Sequence, residues 1–154
     1  MLAPSTSISI PLAKQGGAKQ SLTLTGCSRA GDATAFSVPE LNWMLDCGAV
    51  VSGGQSARTI FISHTHADHV HCLPQQICRH SNLQSTSTAL PPIQIYLPAS
   101  AVPFVNQFLQ AYLAMLEGGG NPPTADKNSS MTDSSSSTQP LPLYELCPVV
   151  PGQE

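Results

Sequence analysis

The sequence predicts a mixed α/β chain of the α+β kind: a mostly antiparallel sheet of about five or six strands with helices on one face. Three observations predict it. Between residues 21 and 45, short segments alternate polar and apolar residues and are broken by Gly and Pro, the pattern of half-buried strands. Two apolar runs, Arg58-Thr59-Ile60-Phe61-Ile62 and Ile93-Gln94-Ile95-Tyr96-Leu97, read as further strands, the first apolar enough to lie inside a sheet. Each is followed by apolar residues at helical spacing: Val70, Leu73 and Ile77, then Val102, Val105, Phe108, Leu109, Tyr112, Leu113 and Leu116.

In chain order, residues 1–20 are a leader or edge segment. Ile8-Ser9-Ile10 is a short edge strand or no element at all, and Gln15-Gly16-Gly17 breaks it. Ser21 to Thr25 is a strand, Gly26 to Gly31 a turn, and Ala33 to Val38 a second strand ended by Pro39, so the pair reads as a hairpin. Leu41 to Leu45 is a third strand, closed by Asp46-Cys47-Gly48. Residues 49–57 are small and form a loop or a short helix. A helix is expected from Asp68 to about His80, with Pro74 marking its start or a kink. Ser81 to Pro92 is a polar loop. The helix over about 101–116 ends at Gly118-Gly119-Gly120. Residues 118–140 are Gly, Asn, Pro, Ser and Thr with almost no apolar content, a low-complexity insert expected to be disordered. Leu141 to Val150 is one more strand, which Pro142 and Pro148 confine to an edge.

Composition excludes some functions. Only 10% of the 154 residues are charged and the net charge is −3, so nothing in the charge points to nucleic acid or an anionic membrane. No apolar run approaches the roughly 18 residues that span a bilayer. The five Cys (27, 47, 72, 78, 147) are scattered, with no Cys-x-x-Cys pair. No apolar signal segment opens the chain, so the expectation is an intracellular protein with reduced thiols, in the cytoplasm or nucleus. An organelle is the alternative: the first 20 residues carry Ser, Lys and Gln and no acid, as transit peptides do, but lack Arg and an amphipathic pattern.

The chemistry concentrates in His64-Thr65-His66-Ala67-Asp68-His69, which uses three of the five His of the chain. Imidazole and carboxylate together suit Zn²⁺. In an extended segment residues two apart point the same way, so His64 and His66 can reach one metal. Asp68 and His69 follow as the chain turns into a helix and aim at a second point nearby. Two ions about 3.5–4 Å apart would bridge a water and clamp a scissile ester. His71, Cys72, Cys78 and His80 are weaker candidates, and the two Cys read as buried packing groups.

The pattern His-x-His-x-Asp-His resembles the metallo-β-lactamase superfamily. The flanks look most like ribonuclease Z, the tRNA 3′-processing endonuclease: Leu22 to Ser28 with Ala30-Gly31, Phe36 to Gly48, Phe61 through Pro74, and Pro91 through Pro98 with the helix after it. His71 and Cys72 depart from the small Gly residues usual there. The resemblance implies the N-terminal half of an αββα sandwich over residues 21–117, with 141–154 leading into the next strand. It implies zinc as cofactor, two ions in the complete site: His64 and His66 on one, Asp68 and His69 on the other. Asp68 would also handle the proton of phosphodiester hydrolysis, and Asp46, one shell out, would orient a ligand imidazole. It further implies precursor tRNA as partner, no membrane, and leaves room for a homodimer.

In the family a further His, a bridging Asp and a last His complete the two sites, and this sequence has no His after His80. The expected function is a ribonuclease Z-like zinc-dependent endonuclease for tRNA 3′ processing, incomplete as this chain. Two alternatives stand beside it: another hydrolase of the superfamily (phosphodiesterase or thioesterase), and a non-catalytic half-domain from a truncated or degenerate copy.

Overall fold

The computed structural model describes residues 5–12, 21–84, 91–116 and 143–152, with side chains omitted for 81–84. Its seven strands form one sheet in strict sequence order: β1 (Thr6–Pro11), β2 (Ser21–Arg29), β3 (Ala33–Val38), β4 (Trp43–Leu45), β5 (Thr59–Phe61), β6 (Ile93–Pro98) and β7 (Tyr144–Val149). The expected α+β architecture is present. The sheet, however, is antiparallel only from β1 to β4 and parallel from β4 to β7, where a mostly antiparallel one is expected. Parallel pairing follows from the crossovers, a loop with a 3₁₀ turn (Gly54–Ser56) between β4 and β5 and helices after β5 and β6: each carries the chain back before the next strand starts, so successive strands point the same way.

Three local readings change. Gly26 does not open a turn; β2 runs through it to Arg29, and the turn is Ala30–Asp32. Gly26 pairs with Phe36, and a Cβ there would run into the Ala35 carbonyl and the Phe36 ring. The glycine therefore serves close approach between strands rather than a break. The helix expected over 68–80 is two helices, α1 (Ala67–Val70) and α2 (Leu73–Gln84), parted at His71-Cys72. Pro74 sits in the first turn of α2, where its missing N–H costs nothing, and α2 runs into the segment read as a polar loop. The strand expected from Leu41 begins only at Trp43: Pro39–Leu41 is a 3₁₀ turn closed by Asn42 at φ 54°, a left-handed conformation that Asn tolerates.

β1 takes one edge and β7, with its Pro148, the other. A helix α3 (Val102–Leu116) packs beside α2 and β7. The alternation of the strands sorts the sheet into two unlike faces. Met44, Ile60, Ile95 and Leu97 point toward the helices and join Leu73, Ile77, Val105 and Leu109 in one buried core. Their neighbours Trp43, Leu45, Phe61 and Tyr96 point the other way. Among the described residues no helix is long and apolar enough to cross a membrane. The expectations for 118–140 and for the Gly118–Gly120 stop lie outside the described residues.

Candidate metal centre

The ends of β4 and β5 build the site. Ile62 still donates to the Tyr96 carbonyl (2.8 Å), which extends the ladder one residue past β5. At Ser63 the chain leaves the sheet, runs extended through His64–His66, and enters α1 with His66 at its N-cap (φ −62°, ψ 149°). In parallel, β4 ends at Leu45, and the next residue, Asp46, takes φ 55° and donates its amide to the Phe61 carbonyl (2.8 Å). That turn folds the Asp46 carboxylate, itself buried, under the motif.

Asp46 then binds two motif residues at once. Its Oδ1 accepts the Ser63 amide (2.9 Å), both oxygens accept the Ser63 hydroxyl (2.9 Å each), and Oδ2 faces His69 Nδ1 (2.9 Å). A carboxylate at Nδ1 fixes the proton there and leaves Nε2 as the atom His69 can offer. His69 Nε2 lies 3.4 Å from Asp68 Oδ2, and Asp68 Oδ2 in turn accepts the Gly31 amide from the β2–β3 turn (3.1 Å). The His64 ring lies against His69, tilted by 48° with centroids 3.9 Å apart; its Nδ1 is 3.1 Å from the Ser63 hydroxyl and its Nε2 3.1 Å from His66 Nδ1. So His64, His66, Asp68 and His69 gather at one place, with Asp46 behind them.

The backbone beneath is tightly stitched. Cys47 donates to the His69 carbonyl (2.7 Å), Cys72 to the Cys47 carbonyl (2.9 Å), and Gly48 to the Thr34 carbonyl (2.9 Å). A Cβ on Gly48 would fall on the Asp68 carbonyl, so only glycine lets the β4 loop approach α1 this closely. Burial pushes the Cys47 thiol far above its ordinary range, and the neighbouring Cys72 pushes it further. Cys72 is raised by burial as well, so both thiols are held neutral as packing groups. His71 Nδ1 donates to the Ala67 carbonyl (2.8 Å), and His80 Nε2 is paired with the Pro91 carbonyl (2.8 Å). Both imidazoles serve the backbone outside the motif cluster.

The donor types suit zinc, but as folded they do not surround an ion. They come from one side and spend their hydrogen-bonding atoms on one another. Among the described residues no group of three or more His, Cys, Asp or Glu is arranged to hold a metal. Two partners escaped sequence reasoning. Ser63 carried a usable signal, a small hydroxyl residue at the strand end directly before the motif. The Gly31 amide carried none, since nothing local links it to Asp68 across 37 residues.

The chain is similar to a tRNase Z. It is 28% identical over 102 residues to the chloroplastic tRNase Z TRZ2 of Arabidopsis thaliana, a similarity that covers 66% of this chain and 27% of that protein. The chain thus spans well under two thirds of the curated relative. No family model matches the sequence.

Proposed function

We propose that this chain is the motif-bearing part of a tRNase Z-like, zinc-dependent endonuclease acting at the 3′ end of precursor tRNA. One observation carries the reading: the Asp46 carboxylate holds Ser63 and His69 together, which gathers the His-x-His-x-Asp-His donors at the end of β5. The similarity to a tRNase Z supports the substrate class. In this reading residues 21–117 are the N-terminal half of an αββα sandwich, 1–20 a leader or edge segment, 118–140 an insert, and 141–154 the start of the next strand segment. The compartment is intracellular, and the relative's chloroplastic name favours an organelle.

His64 and His66 would hold one zinc and Asp68 and His69 a second. Zinc held there would supply an acidified water and positive charge beside the scissile phosphate. Asp46 fixes the ring of His69, and the Gly31 amide fixes the Asp68 carboxylate, the group assigned to take the proton. In this reading the remaining ligands would be those of a C-terminal half, a His, an Asp and a last His.

Two ligands per ion leave half of a tetrahedral zinc shell to solvent, one fewer protein ligand than a catalytic site has. Residues 1–154 alone should therefore bind zinc weakly in isothermal titration and leave precursor tRNA uncut. Fusion to the C-terminal half of a tRNase Z should raise zinc affinity and bring zinc-dependent cleavage that His66→Ala abolishes. A fusion that binds zinc and cleaves a thioester or a simple phosphodiester but spares precursor tRNA would transfer the reading to another hydrolase of the superfamily. A folded fusion that binds no zinc would leave a non-catalytic half-domain.

A further inference from the structure

Between the motif and α3 lies a pocket of about 310 Å³, walled by Thr65, Ala67, Val70, His71, Phe104 and Phe108. Its two phenyl rings stand one turn apart on the same face of α3. Phe104 is 71% exposed and Phe108 38%, whereas Val105 beside them is 4% exposed. Burial alone would favour the larger groups, so two rings turned outward side by side call for an occupant. The pocket adjoins the candidate ligands. Thr65 and Ala67 alternate in sequence with His64, His66 and Asp68. In the extended run His64–His66 neighbouring side chains point opposite ways, so Thr65 meets the pocket while His64 and His66 turn to each other on the far side. One thickness of backbone parts the pocket from the imidazoles. No Asp, Glu, Lys or Arg lines it. His71 supplies its polar atom: Nδ1 donates to the Ala67 carbonyl (2.8 Å), which leaves Nε2 of the neutral ring as an acceptor.

We propose that this pocket binds one unpaired nucleobase carrying an exocyclic amino group, beside the phosphate held at the motif. Phe104 and Phe108 stack on the base, and His71 Nε2 accepts from its amino group. The lining selects this occupant. A base is planar and uncharged, and it stacks on aromatic side chains with its other face left in water. An acyl chain would stay wet here, because the outer side of Phe104 is open. A phosphate finds no cation in the pocket and is left to the motif, across the loop from its base. The volume lies at the small end of ligand pockets, about 300–1,000 Å³, and suits one ring system rather than an extended chain. That the base belongs to precursor tRNA rests on the nuclease reading above; the preference of the pocket for a base does not.

Nucleosides test the pocket without phosphate, zinc or cleavage, so a failure here is separate from a failure of the nuclease reading. Cytidine and uridine are alike in size and differ in presenting an amino donor or a carbonyl acceptor at the same ring position. Each is titrated into residues 1–154 at neutral pH and followed by amide chemical shifts. Cytidine should move Val70, His71, Phe104 and Phe108 at millimolar concentration. Uridine should bind about three- to tenfold more weakly, the worth of one hydrogen bond. Phe104→Ala, at an exposed position, should weaken both nucleosides by about tenfold through lost stacking and leave distant resonances unmoved. His71→Phe should keep the binding and erase the preference. The comparison of the two nucleosides on the unaltered chain needs no variant to fold. Three results would overturn the proposal. They are nucleoside shifts absent from these four residues, equal binding of cytidine and uridine, and hexanoate binding at the same residues more tightly than cytidine. The last would give the pocket to an acyl chain.

Discussion

The motif has a fixed half and a loose half. Asp68 and His69 sit at a helix start, with Asp46, the Gly31 amide and the Cys47 backbone amide all bonded to them. His64 and His66 lie in the extended stretch before it, exposed, held by the Ser63 hydroxyl and by each other. The difference teaches where the fold invests its stability. One pair is positioned by the sheet whether or not a metal arrives. The other keeps the freedom to reorient toward one.

Substitutions should separate the halves by size of effect. The largest belongs to Gly48→Ala, whose new methyl collides with the Asp68 carbonyl and forces the β4 loop off α1. A loss of about 3–5 kcal/mol is expected, close to the whole stability of a marginal domain, read as a fall in the urea midpoint. If the midpoint holds, the loop is not locked to α1 and the fixed half is no more fixed than the other. Next comes Asp46→Ala, which leaves the Ser63 amide and His69 Nδ1 without their carboxylate at a cost of about 2–4 kcal/mol. Hydrogen exchange at the Ser63 amide should rise with it; unchanged protection there would show that Asp46 does not organise the strand end. The smallest effect is that of His64→Ala and His66→Ala, each within about 0.5 kcal/mol because the side chains are exposed. A loss comparable to that of Asp46→Ala would erase the distinction between the halves.

The sequence revealed what repeats at short range. Alternation located β2, β3 and β6 within a few residues, and helical spacing located α3. The His-x-His-x-Asp-His spacing named four side chains that lie in a run of contacts from His66 through His64 and His69 to Asp68, with Asp46 bonded to His69, although among the described residues no three are arranged to hold a metal. What it hid depends on partners far along the chain. Gly26 looks like a breaker until Phe36 is seen across from it. Pro74 marked where the second helix starts, at Leu73, but the short helix α1 before it and the Cys72 amide turning back to the Cys47 carbonyl left no local sign. The parallel half of the sheet was missed because pairing direction is set by crossovers and leaves no trace in the alternation within a strand.

Sequence-ordered strands also have a kinetic consequence. From β1 to β5 each strand pairs with its neighbour in sequence across a short connection, so that part of the sheet can assemble by closing short loops in series, and β6 follows after α1 and α2. The last pairing is different: Pro98 ends β6 and Tyr144 begins β7, with α3 and a long connection between them. Closing that loop carries the largest entropic barrier in the chain, although the barrier grows only with the logarithm of loop length. The motif would therefore be shaped early, on β4 and β5, and the sheet face that carries Phe61 and Tyr96 would gain its final rim, β7, last.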